Sequence, residues 1–139
     1  MSIVKAFEKA FEKKEERGWD KIYVFVDIHE TMLYPTYELH GKKDFYPFAI
    51  EVLWAMSQRD DISLGLYTCS YPEEIEIYLK AFENAGIRFE HINVNREEKN
   101  SKYGCFDQKP YFNVLIEDKA GFDAEEDWLL LADYLISIQ

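Results

Sequence analysis

The stretch VFVDIHETML, residues 24–33, runs from apolar residues straight into Asp27, His29, Glu30 and Thr31. An ionised carboxylate placed directly after a buried strand is costly unless it is paired or liganded, so Asp27 calls for a partner. Two further apolar runs end in reactive groups: LGLYT closes on Thr68, and VLIED closes on Glu117 and Asp118. Two acidic strand ends that converge would offer hard oxygen ligands to a divalent cation. Lys109, in QKPYF, stands just ahead of the last run.

Taken singly, most of these residues have ordinary explanations. Threonine is common in strands, so Thr68 fits a plain strand end. Lys109 before a proline suits a solvated loop charge, and Lys99 and Lys102 are rival candidates for a functional lysine. Glu117 and Asp118 precede KAG and read as the start of a turn. The combination, two acidic strand ends and a hydroxyl end with a Lys-Pro pair just before the last strand, is what points to an active site.

The elements that must position them can be read from periodicity. Ile3, Val4, Phe7, Ala10 and Phe11 recur at helical spacing, with Gly18 placed to cap the helix. Lys21 to Val26 is a near-continuous apolar run, the pattern of a strand buried on both faces. The stretch YPTYELHGKKDFYP is a loop, and a helix is expected from about Pro47, with Ile50, Leu53 and Met56 or Ser57 on successive turns. ISLGLYT is a second buried strand. Ser70 is expected to cap the next helix, with Pro72, Glu73 and Glu74 in its first turn, Ile75, Leu79 and Phe82 on its apolar face and Gly86 at its end. IRFEHINVN reads as a third strand nearer the sheet edge, and FNVLIED as a fourth. AEEDWLLLADYLISI closes the chain as a helix, with Leu129, Ala132 and Ile136 expected inward.

Strands alternating with helices at these lengths predict a three-layer, Rossmann-like α/β fold: a mainly parallel central sheet of about four strands flanked by helices. The 139 residues suit one domain, 1–139. In such folds ligands bind outside the carboxyl ends of strands, near the switch in strand order, which is where Asp27, Thr68, Glu117 and Asp118 stand.

Composition narrows the function. Sixteen basic against 27 acidic residues give a formal net charge of −11, which repels nucleic-acid phosphates, so generic nucleic-acid binding is not expected. No apolar run approaches the roughly 20 residues of a membrane span, and the charged N-terminus lacks a signal-peptide core, so a cytoplasmic protein without membrane contact is expected. Cys69 and Cys105 have no metal-like spacing and read as free thiols.

From about Lys21 to Asp123 the chain resembles the haloacid dehalogenase-like (HAD) superfamily of phosphatases and related hydrolases. The four motifs appear in order: VFVDIHETML for the strand ending in Asp-x-Asp-x-Thr/Val, LGLYT for the strand ending in a hydroxyl, Lys109 for the lysine, and VLIED for the paired acids. The resemblance implies that Asp27 is a nucleophile forming an aspartyl-phosphate. It implies Mg²⁺ held by Asp27, the backbone carbonyl of His29 and Asp118, with Glu117 orienting metal waters. Thr68 and Lys109 would contact the phosphoryl group. Cys69, Ser70, Tyr71, Arg96, Lys102 and Lys119 would frame the entrance, with Cys69, Ser70 and Arg96 as substrate contacts.

His29 departs from the pattern, because it replaces the family's general-acid aspartate. With an ordinary pKa of about 6.5, histidine can protonate a leaving oxygen or activate water. Neither interval that carries a cap domain in larger members has room for one here. A capless site suits a large phosphorylated substrate, or uses a second subunit or the aromatic loop Tyr34 to Tyr46 to exclude water. The expected activity is a Mg²⁺-dependent phosphohydrolase acting on a phosphorylated small molecule or macromolecule. The alternatives are a phosphate-binding regulatory module without turnover, or a related phosphonatase- or dehalogenase-like hydrolase.

Overall fold

A computed structural model of the chain describes residues 2–34, 44–98, 100 and 110–139. Helix α1 spans Ser2–Arg17, followed by strand β1 Ile22–Val26, α2 Ala49–Ser57, β2 Ile62–Leu66 and α3 Pro72–Asn84. Strands β3 His91–Ile92 and β4 Val114–Ile116 come next, then a 3₁₀ turn Asp118–Ala120 and α4 Asp127–Ser137. The four strands form an all-parallel sheet in the order β3-β2-β1-β4, with helices packed about it. The fold is therefore α/β with a parallel sheet, as the alternation of elements predicts. No helix among the described residues is long and apolar enough to cross a membrane.

Strand β1 is buried along its whole length because it has a neighbour on each side. Its side chains alternate between the two faces of the sheet. Ile22, Val24 and Val26 join the main core with Leu64, Leu66, Val114 and Ile116. Helix α1 packs on β1 and β4, α2 packs on β2, and α4 packs on both helices. Tyr23 and Phe25 point the other way: the Tyr23 ring meets those of His91 and Tyr111, and Phe25 stacks on His91 and tilts against Phe112.

Several local expectations are corrected. Helix α2 starts at Ala49 rather than Pro47, because Phe48 takes a left-handed φ of 68°. Ser70 does not cap α3: Tyr71 holds that position, and the Ser70 N–H and hydroxyl are both engaged with Thr68 Oγ1. The fully packed residues of α3 are Tyr78 and Phe82. Leu129 and Ile136 of α4 are exposed, at 46% and 66%, and its inward residues are Trp128, Leu131 and Leu135. The large Trp128 side chain sets the rotation of α4, with its indole N–H donating to the Thr31 carbonyl at 2.7 Å. Gly18 and Gly86 follow their helices with φ of 68° and 78°, the conformation expected of glycine caps.

Candidate active site

The strand order determines what meets what. From β1 the chain steps outward to β2 and β3, then returns to the far side of β1 for β4, so the order reverses between β1 and β4. The ladder runs on past the strand ends: the Asp27 N–H donates to the Ile116 carbonyl at 3.0 Å and the Tyr67 N–H to the Val26 carbonyl at 2.9 Å. Asp27 is thereby held beside Glu117 and Asp118 on one side and Thr68 on the other. Asp27, His29, Glu30, Thr68, Glu117 and Asp118 all line one cleft of about 490 Å³, together with Tyr67, Cys69, Asn93 and Lys119.

One carboxylate oxygen each from Asp27, Glu117 and Asp118 lie within 4.8 Å of one another. Burial first, and then the charges of Glu117 and Asp118, push the Asp27 carboxyl up from 3.8 to about 6, against the opposing pull of the Ile28 N–H and Lys119. Such crowding of like charge is what a divalent cation relieves, and a donor set made only of carboxylate oxygens fits a hard ion. These three residues could hold a metal.

Short bonds keep the acids in place. The Asp118 N–H donates to Thr31 Oγ1 at 3.1 Å, and Thr31 is fully buried. Glu117 Oε1 accepts the Lys119 N–H at 3.1 Å, capping the 3₁₀ turn that Gly121 closes with a φ of 104°. The turn after β1 uses the Ile28 and Leu33 carbonyls as acceptors, and Glu30 takes a φ of 60° within it.

The other expected residues divide. His29 lines the cleft, and its Nε2 lies 2.7 Å from the hydroxyl of buried Tyr78. Cys69 is an exposed free thiol on the cleft wall, whereas Ser70 is not among the lining residues and is bonded to Thr68. Arg96 is not among the lining residues: it is exposed, and its N–H donates to His91 Nδ1 at 3.2 Å. Lys109, with Lys99 and Lys102, lies outside the described residues, as does Cys105.

Two contributors were not anticipated. Asn93 Oδ1 accepts the Thr68 N–H at 2.8 Å from across the β2–β3 edge, and Tyr78 reaches His29 from α3. Neither sits in a recognisable motif. The one available signal was the place of Asn93 at the end of a parallel strand.

A second acid–histidine cluster, Glu90, His91 and Glu97, involves the face of the sheet that carries Tyr23 and Phe25. Its charge is partly answered, because Lys21 Nζ lies 3.0 Å from Glu97. His91 Nδ1 accepts a backbone N–H, so a neutral ring carries its proton on Nε2, facing Ser63 at 2.9 Å and Glu97 at 3.3 Å.

No protein-family model and no curated protein matches the chain. Its fold is similar to that of a solved structure, a conserved protein from Bacteroides thetaiotaomicron, with a TM-score of 0.65 over 86% of this chain and 93% of that one. At 19% identity this is a likeness of fold.

Proposed function

We propose that the protein is a Mg²⁺-dependent, HAD-type phosphohydrolase that works through phosphoryl transfer to Asp27. The observation that carries this reading is the meeting of Asp27 with Glu117 and Asp118 at the carboxyl ends of adjacent parallel strands, with Thr68 in the same cleft. A carboxylate that is mostly ionised above about pH 6 can attack phosphorus without a separate base. Asp27, Asp118 and the His29 carbonyl would hold Mg²⁺, with Glu117 beside them. When bound, that ion neutralises the charge separating an anionic nucleophile from a phosphoryl group.

The protein's own groups then act in order. An Asp27 oxygen attacks phosphorus, the bond to the ester oxygen breaks, and protonated His29 delivers a proton to that leaving oxygen. Neutral His29 takes a proton from water as the water attacks the aspartyl-phosphate, releasing inorganic phosphate and restoring Asp27. Thr68 steadies a phosphoryl oxygen, a role that the resemblance also gives to Lys109.

The 2.7 Å contact between His29 Nε2 and Tyr78 favours a second reading. A ring held this way has one nitrogen already engaged, which suits a phosphate-binding module with little turnover. Hydrolysis of p-nitrophenyl phosphate with Mg²⁺ at pH 5 to 8 separates the two. The phosphohydrolase reading expects turnover by the native protein and none by Asp27→Asn. No native turnover, with activity gained in His29→Asp, supports the binding module instead.

A further inference from the structure

The edge strand ends in a residue that the scheme above leaves unused. Asn93 follows β3 with a φ of 59°, a left-handed conformation that asparagine tolerates better than most residues. Its N–H donates to the Leu66 carbonyl at 2.8 Å, tying it to the end of β2. Its Oδ1 accepts the Thr68 N–H at 2.8 Å. Only the amide oxygen can accept from an N–H, so this bond also orients the amide. Nδ2 is left with two N–H donors, and no acceptor among the described residues takes them.

The charge in the cleft makes such a donor valuable. Asp27, Glu30, Glu117 and Asp118 line it against Lys119, so an entering oxyanion needs donors that carry no negative charge. The Thr68 hydroxyl is already committed in part, donating to Ser70 Oγ at 3.0 Å and accepting the Ser70 N–H at 3.1 Å. Asn93 lines the same cleft and brings neutral donors on a side chain already fixed in place.

Resting on the phosphohydrolase reading, we infer that Asn93 is a phosphoryl-binding residue: its Nδ2 donates to a non-bridging oxygen of a phosphate ester held against Asp27, while its Oδ1 keeps the Thr68 segment in position. The edge strand thereby supplies a contact to the reacting group that the four motifs do not.

The test uses orthovanadate as the probe, with Mg²⁺, on the full chain. Asn93→Gly keeps the left-handed backbone and removes both amide functions; Asn93→Asp keeps the acceptor for Thr68 and replaces the donor. Both should bind vanadate at least about tenfold more weakly than the native protein, the loss expected when a hydrogen bond to a charged group is removed. Melting of each variant shows that it is folded. In ¹⁵N-labelled native protein the Asn93 side-chain amide signals should shift when vanadate is added and stay put with Mg²⁺ alone, which a residue that merely pins Thr68 would not show. Native-like vanadate affinity in Asn93→Gly, or amide signals that ignore vanadate, overturns the inference alone. A native protein that binds no vanadate overturns the phosphohydrolase reading with it.

Discussion

The backbone N–H of Asp118 donates to the hydroxyl oxygen of Thr31 at 3.1 Å, joining the turn after β1 to the turn after β4. Trp128 holds Thr31 from the other side through its carbonyl. Thr31→Val removes the acceptor at nearly constant volume and leaves the Asp118 N–H unpaired. The expected cost is about 1–3 kcal/mol in denaturant melting, with weaker Mg²⁺ binding. Thr31→Ser keeps the oxygen and should lose less of both. Equal Mg²⁺ affinity in all three proteins would show that this clamp does not govern the site.

The raised carboxyl of Asp27 makes metal-free stability depend on pH. Between its ordinary value of 3.8 and about 6, the folded chain holds this proton more tightly than the unfolded chain does. Stability from this group is therefore lost as pH rises through that window and stays lost above it. Asn at position 27 carries no such penalty. In EDTA, Asp27→Asn should match the native protein near pH 4 and exceed it at pH 7 by about 1–2 kcal/mol, after allowance for solvent screening of a half-buried group. Saturating Mg²⁺ should close the gap. A native protein that gained on the variant as pH rose would contradict the electrostatics of the site.

Tyr78 is the partner of His29, and Tyr78→Phe removes that partner while keeping the ring. A loss of about 1 kcal/mol in stability is expected for the hydrogen bond. If His29 moves protons during turnover, kcat should fall by about tenfold, with KM nearly unchanged. An unaltered kcat, with only the stability loss, would make the pair purely structural.

Gly65 lies opposite His91 in the β2–β3 ladder, on the face that carries Phe25. A methyl group there would stand 2.6 Å from the nearest carbon of the Phe25 ring, so the ring must move off His91. Gly65→Ala should cost about 1–3 kcal/mol in thermal or denaturant melting, as overpacking does. Native stability in this variant would show that the aromatic face is loosely packed.

Much of this arrangement was legible in the sequence because it rests on local patterns. The apolar runs before Asp27, Thr68 and Glu117 are short, dense and β-rich, and their strand ends do meet. The face of α4 was misread because Leu129 and Ile136 satisfy a helical period as well as Leu131 and Leu135 do. The tie from Trp128 to Thr31 decides between them, and it joins residues 97 positions apart. Asn93 and Tyr78 were missed for the same reason: each acts across the sheet or from a neighbouring helix on a partner remote in sequence. Strand β3 shrank to two paired residues because, at the edge of the sheet, it has a ladder on one side.

In the proposed reaction Asp27 receives the phosphoryl group beside a metal held with Asp118. A crystal structure grown with Mg²⁺ and beryllium fluoride is the decisive experiment. Phosphoryl transfer to Asp27 requires a fluoroberyllate bonded to an Asp27 carboxylate oxygen, with Mg²⁺ coordinated by Asp27 and Asp118. Beryllium fluoride bound elsewhere, or Asp27 unmodified with no metal between the two carboxylates, would contradict it.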